Sequence, residues 1–223
     1  MARAIAAAGT RLTAVVGLAV FVAGCATQGP AESWDGLVLR PESRLDAVYV
    51  QPGVDFPAYR SVIIDPLEVS FDKNWDPNRD VRSVSRQLDE RDIEAIRTGL
   101  AELFLEVFRE ELAKGGYSVV STPGPETLHI LPAVTDLYIN APDRMEPGRT
   151  TTYTTETGRM TLVAELRDSV SGDVLARVVD RQQSRDSGMM QVTNRVTNTA
   201  DARRAIGVWA RALREGLDEL KGR

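Results

Sequence analysis

The chain has 223 residues, a formal net charge of −5 and a single cysteine. A mildly acidic chain with no run of more than two Lys or Arg argues against nucleic acid or anionic lipid headgroups as main partners, since both need a basic patch. One cysteine also excludes a disulfide within the chain, so the core alone must hold the fold.

Residues 1–24 have the build of a secretory signal. Arg3 and Arg11 are their only charges, and an apolar stretch runs over 12–23. That stretch is too short for the roughly 20 residues a membrane-spanning helix needs. It ends in Val22-Ala23-Gly24-Cys25, which resembles the bacterial lipobox. The resemblance implies that a signal peptidase cuts before Cys25. The thiol then carries a diacylglycerol thioether and the freed amine an acyl chain such as palmitate. Cys25 is thus the expected lipid attachment site and the membrane the expected first partner. Two or three chains anchor stably where one holds only marginally. Taking 24 from 223 residues leaves 199, enough for one domain, and the loss of two arginines moves the charge from −5 to −7.

Residues 25–33 read as a lipidated tether, small, polar and bearing Gly29 and Pro30. Ala26, by analogy with enterobacterial sorting where Asp at this place retains lipoproteins at the inner membrane, favours the outer membrane, facing the periplasm. Residues 34–223 read as one α/β domain. Residues 34–59 are broken by Pro41, Pro52 and Pro57 and are expected to be irregular, with a short strand near 47–50. Val62, Ile63, Ile64, Leu67, Val69 and Phe71 predict a strand over 61–71, with Pro66 as an edge or bulge. A turn over 75–80 precedes a helix over 91–114. There Ile93, Ile96, Leu100, Leu103, Phe104, Val107, Phe108 and Leu112 form one stripe, closed by Gly115-Gly116.

A short strand over 117–121 follows, then a turn and a strand over 128–139 interrupted by Pro132. Residues 141–152 read as a loop. Residues 160–170 and 174–183 alternate as a hairpin through Ser171-Gly172-Asp173. Residues 186–198 read as loop, and 201–220 as an amphipathic helix capped by Thr199 or Asp201. The order of elements predicts an α+β fold, a two-layer sandwich with both helices on one face of a mostly antiparallel sheet. The first strand–helix–strand passage would add one parallel pair.

Three stretches carry a further resemblance: Tyr49-Val50-Gln51-Pro52-Gly53-Val54-Asp55-Phe56-Pro57-Ala58-Tyr59 with the following Ser61-Val62-Ile63-Ile64-Asp65-Pro66, then Leu166-Arg167-Asp168 through Ser171-Gly172-Asp173-Val174-Leu175-Ala176, and Val208-Trp209-Ala210. Together they resemble the bacterial lipoprotein family labelled domain of unknown function 3313. The family brings no catalytic residue with it, so the resemblance implies no site beyond Cys25.

The residues themselves assign no catalytic, cofactor or metal site. His129 is the one histidine and reads as an ordinary strand residue, and the glycines offer no phosphate loop. Asp65, Asp136 and Asp168 interrupt or end strands, where acid–base or cation chemistry competes with the ordinary capping of turns. The threonines over 150–155 and the pair Met189-Met190 are candidate contacts for a ligand or partner, or simply an exposed strand and a tucked loop. The reading is a lipid-anchored envelope lipoprotein, a non-enzymatic binding or scaffold module with an envelope protein partner. It requires an exposed apolar patch or sheet edge. The alternative is a periplasmic small-molecule binder or cryptic hydrolase with a sheet–helix pocket and Asp65 or Asp136 at its mouth.

Overall fold

The computed structural model describes residues 30–79, 87–139, 152–154, 158–183, 191–193 and 195–220. The signal-like segment, Cys25, the loop over 141–150 and Met189-Met190 lie outside them. The described chain first reverses at Asp35-Gly36, where φ is 50° and 85°. Positive φ at both central residues is what a two-residue type I′ hairpin turn requires. It joins β1 (Ser33–Trp34) to β2 (Leu37–Leu39), which pairs with β3 (Ala47–Val50). The expectation of irregular chain before 47 is corrected here. Asp-Gly between apolar residues turns the chain before Pro41 is reached.

A 3-10 turn (Phe56–Ala58) leads to β4 (Ser61–Ile64) and β5 (Glu68–Phe71). These are the predicted 61–71 strand split by Pro66, and both lie parallel to β7 (Thr127–Ile139). Ile130 accepts the Asp65 N–H at 3.0 Å, so its backbone groups face β4. Two residues on, Pro132 turns the same way and faces the gap between β4 and β5. One proline therefore lacks its N–H where the other has already broken the ladder, and β7 runs through Pro132 without interruption.

Helix α1 (Glu90–Lys114) begins one residue before the predicted start. Asp89 accepts the N–H groups of Arg91 and Asp92, and Asp92 accepts that of Asp89, a capping box. At its end Gly116 takes φ 76°, and a Cβ on Gly115 would lie 2.7 Å from the Tyr117 ring. β6 (Ser118–Val119) then pairs in parallel with β4. β8 (Thr152–Thr154) precedes the predicted hairpin of β9 (Gly158–Asp168) and β10 (Val174–Gln183), and β11 (Gln191–Thr193) pairs with β8. Helix α2 (Arg195–Leu220) starts earlier than expected, so Thr199 and Asp201 lie inside it and not at its cap. Threonine and asparagine lower intrinsic helix propensity over 195–200, a weak preference that the fold overrides.

The architecture is α+β. Among the described residues a mixed, mostly antiparallel sheet of nine strands runs β1-β2-β3-β10-β9-β7-β4-β6, with β5 on β7 beyond β4. Three parallel pairings occur where one was expected. Leu128, Ile130 and Val134 of β7 and Met160, Leu162, Ala164 and Leu166 of β9 share one core cluster with Phe104, Phe108 and Leu112 of α1 and Ile206, Trp209 and Leu217 of α2. Asp180 of β10 is 3% exposed and faces this core. It accepts Trp209 Nε1–H at 2.7 Å, Gln182 Nε2–H at 2.6 Å and the Asp46 N–H at 3.0 Å.

Trp209→Phe keeps the aromatic packing and removes one donor from a buried carboxylate. The expected loss is about 1–3 kcal/mol in chemical denaturation. Unchanged stability would show that the indole N–H does not hold α2 to the sheet.

Candidate functional site

The three weighed carboxylates do not converge. Asp168 ends β9 on the helix side, where Tyr59 Oη donates to it at 2.8 Å and the N–H groups of Ser171 and Val170 donate at 2.8 and 2.9 Å. The Ser171 N–H first, then the Tyr59 hydroxyl, hold its carboxyl below the usual aspartate range. Burial, then the hydrogen bond to Asp168, push the Tyr59 hydroxyl up to about 12. Asp136 is exposed at φ 52°, in a bulge where the register steps from Thr135–Thr161 to Tyr138–Arg159. The extra residue returns Leu137 to the core, where it is buried. Asp65 ends β4, and its Oδ1 lies 2.7 Å from His129 Nε2. His129 alternates with the core residues Leu128 and Ile130, so this pair sits on the sheet face away from the core cluster. No hydrogen bond joins His129 to a hydroxyl among the described residues, and no group of three metal-ligating side chains occurs there.

The face that carries His129 is organised in rows across the strands. Leu131, Glu165, Arg177 and Tyr49 stand in register, as do Ala133, Val163, Val179 and Ala47, then Thr135, Thr161 and Arg181. The first row is charged at its centre and internally neutralised. Arg177 donates to Glu165 at 2.9 Å and to Asp35, Arg167 also donates to Glu165, and the Trp34 ring lies 4.7 Å from the Arg177 guanidinium carbon. Glu165, although burial raises it, is held below its usual range by Arg167 and Arg177. The second row is wholly apolar. It runs into a small cluster of Leu37, Ala47 and Tyr49 on which Leu39, Val174 and Val179 pack.

A cleft of about 580 Å³ opens elsewhere, at the β6 edge. Ser61, Ser121, Thr122 and Thr127 give it hydroxyls, Arg109 a guanidinium, and Val119 and Val120 an apolar wall. Neither Asp65 nor Asp136 lines it, so the alternative's pocket residues are corrected. They end or bulge strands elsewhere in the sheet. Of the threonine stretch, Thr152–Thr154 forms β8 and pairs with β11. Arg109, Asp180 and the Glu165–Arg177 row are not singled out by any motif in the sequence. The alternation around Glu165 and Arg177 was the one available signal for the last of these.

A family model described as "Protein of unknown function (DUF3313)" matches residues 27–213. The chain belongs to the DUF3313 family. No curated protein matches it. Among solved structures, the PelC L103M dodecamer from Paraburkholderia phytofirmans is 11% identical over 75% of this DUF3313 chain and 95% of its own, at a TM-score of 0.38. A PDZ domain protein from Parabacteroides distasonis is 15% identical over 72% and 33%, at 0.38. A Xanthomonas campestris protein with a DUF330 family model is 14% identical over 74% and 86%, at 0.37. These scores are too low to carry a functional comparison.

The lowered carboxyl of Asp168 contributes stability above the usual aspartate range, which is lost as pH falls through its folded value. Tyr59, raised from 10.0 to about 12, gives the opposite limb, with stability falling as pH rises between those values. Urea titrations across pH should show Asp168→Asn with a weaker acid limb and Tyr59→Phe without the alkaline one. Wild-type limbs in both variants would count against this assignment.

Proposed function

We propose that this DUF3313 chain is a lipid-anchored envelope lipoprotein that binds a protein partner through the sheet face opposite its helices. The observation that carries the docking surface is the uncharged, half-buried run Ala133–Val163–Val179, which ends against the buried Ala47. In this reading the domain is two-layered, with both helices on one face, as their shared core cluster supports. That leaves the other face to a partner. The row is one residue deep, and rows on one face lie about 7 Å apart. Its flanks are polar, the neutralised Glu165–Arg177 row on one side and Thr135–Thr161–Arg181 on the other. Such a strip suits one amphipathic segment of an envelope protein, apolar toward the row and polar toward both flanks, better than a broad apolar subunit face.

The anchor rests on Val22-Ala23-Gly24-Cys25 and on the tether. Ser33, the start of β1, follows Cys25 by eight residues, a reach of about 28 Å when extended. An outer-membrane location facing the periplasm follows from Ala26 by the sorting analogy.

In a bacterial host, Cys25→Ser should remain unprocessed, take up no labelled palmitate and lose detergent-dependent membrane association. Processing and membrane retention of that variant would overturn the lipid anchor. A photo-crosslinking residue at Val163 or Val179 should capture one dominant envelope protein, and one at Glu102 on the helix side should not. Val163→Asp, with its melting curve recorded in parallel, should abolish the capture from Val179. The same products from all three positions would overturn the docking surface.

A further inference from the structure

The cleft at the β6 edge has the donors of an anion site and lacks the acids of a cation site. Its single charged lining residue is Arg109, and no carboxylate lines it. Several other helical arginines are engaged, though Arg91 and Arg211 are not among them. Arg97 pairs with Glu94, Arg204 with Asp201, and Arg214 with Glu111 and Asp218. Arg109 has no carboxylate within 4.0 Å among the described residues. The acids beside it on α1, Glu106 and Glu110, are taken by Arg203 at 2.8 and 3.7 Å. Ser61, Ser121 and Thr122 likewise have side-chain hydroxyls with no hydrogen bond among the described residues.

The groups are also held in place. Ser169 Oγ donates to the Gly124 carbonyl at 3.0 Å and accepts the Gly124 N–H at 3.2 Å, which pins the loop between Thr122 and Thr127. The Glu126 carbonyl, at a residue with φ 59°, accepts the N–H groups of Arg60 and Ser61 at 2.9 and 3.2 Å. The Val120 N–H donates to Val62 at 2.9 Å and fixes the far wall. A guanidinium with hydroxyls on a fixed backbone matches an oxyanion, which accepts hydrogen bonds at every oxygen.

We propose that this cleft binds a small soluble oxyanion, a phosphate-type group carried by a polar molecule. Arg109 supplies the charge, and Ser61, Ser121 and Thr122 supply hydroxyl donors. The preference for a soluble source over a lipid headgroup rests on the anchored reading above, since the tether enters at β1 and the cleft opens at β6, the opposite end of the strand order. Seven strand spacings separate those edges, on the order of 30 Å.

The test is an amide titration of the isotope-labelled full chain in zwitterionic micelles, adding inorganic phosphate at constant ionic strength with chloride as the reference salt. Resonances of Val119, Val120, Ser121 and Thr122 should shift and saturate with phosphate and stay still with chloride. Arg109→Gln should weaken binding about tenfold, as expected for one charged donor. Arg211→Gln, an exposed arginine on α2, should leave it unchanged, and Ser121→Ala should weaken it less than Arg109→Gln. Linear shifts, equal shifts with chloride, or no effect of Arg109→Gln would overturn the site. Shifts with phosphatidylglycerol vesicles but none with inorganic phosphate would overturn the soluble source and leave the docking face untouched.

Discussion

A buried carboxylate at the centre of the sheet ties helix α2 to the strands of this protein. Asp180 has no solvent to hydrate it, and taking a charge out of water without partners costs several kcal/mol. Its three donors come from three places: the indole of α2, the backbone ahead of β3, and its own strand. Each satisfies the acid only if its element is in position. Asp46 answers in kind, since its Oδ2 accepts the Arg181 N–H at 2.9 Å and extends the β3–β10 pairing beyond the ladder. Breaking one link therefore exposes the others to an unsatisfied buried charge, and α2 docks in one register.

From α2 the constraint passes to α1 through a second polar set. Glu111 is 7% exposed and accepts Lys114 Nζ at 2.6 Å and Arg214 Nε at 2.9 Å; its carboxyl is held low by Lys114 first and Arg214 after it. Arg214 also reaches Asp218 at 2.9 Å, and Tyr117 donates to Asp218 at 3.0 Å just past the tight Gly115 contact. The end of α1, the entry to β6 and the last turns of α2 are thereby fixed together. Apolar stripes bring the helices to the core, and these ion pairs decide how they sit on one another. The β6 edge inherits its shape from that arrangement, which is why Arg109 on α1 meets Ser121 and Thr122 across the cleft.

The sequence made some of this legible and hid the rest for definite reasons. Helix α1 was plain because its stripe, from Ile93 to Leu112, repeats over about five turns. The β9–β10 hairpin was plain because Met160, Leu162, Ala164 and Leu166 alternate and Gly172 marks the turn. The start of α2 was hidden by Val196, Thr197, Asn198 and Thr199, whose local preference argues against the helix that packing selects. Asp35-Gly36 carries a hairpin signal, but Pro41, Pro52 and Pro57 after it mark the same stretch as irregular. Neither the cleft nor the Asp180 node has any local spacing. The first draws on positions 61, 109, 119–122 and 127, and the second on 46, 180, 182 and 209, so only tertiary contact makes either visible.

The way the sheet ends bears on how such a protein would recognise a partner. Its two outermost strands in the long order, β1 and β6, are two residues each, too short to template an added strand. β5 offers four residues, but Pro66 precedes it, and the stacked rings of Phe71 and Trp75, 4.1 Å apart with Arg97 over Phe71, close its far end. Strand addition is thus blunted at β1, β5 and β6 among the described residues. Recognition by backbone pairing would need a longer free edge than any of these. Side-chain recognition on a face needs none, and the Val163–Val179 row offers apolar contact across β7, β9 and β10 beside the internally paired Glu165–Arg177 row. Edge protection and an uncharged central row favour the same geometry for the proposed partner, one lying across the strands.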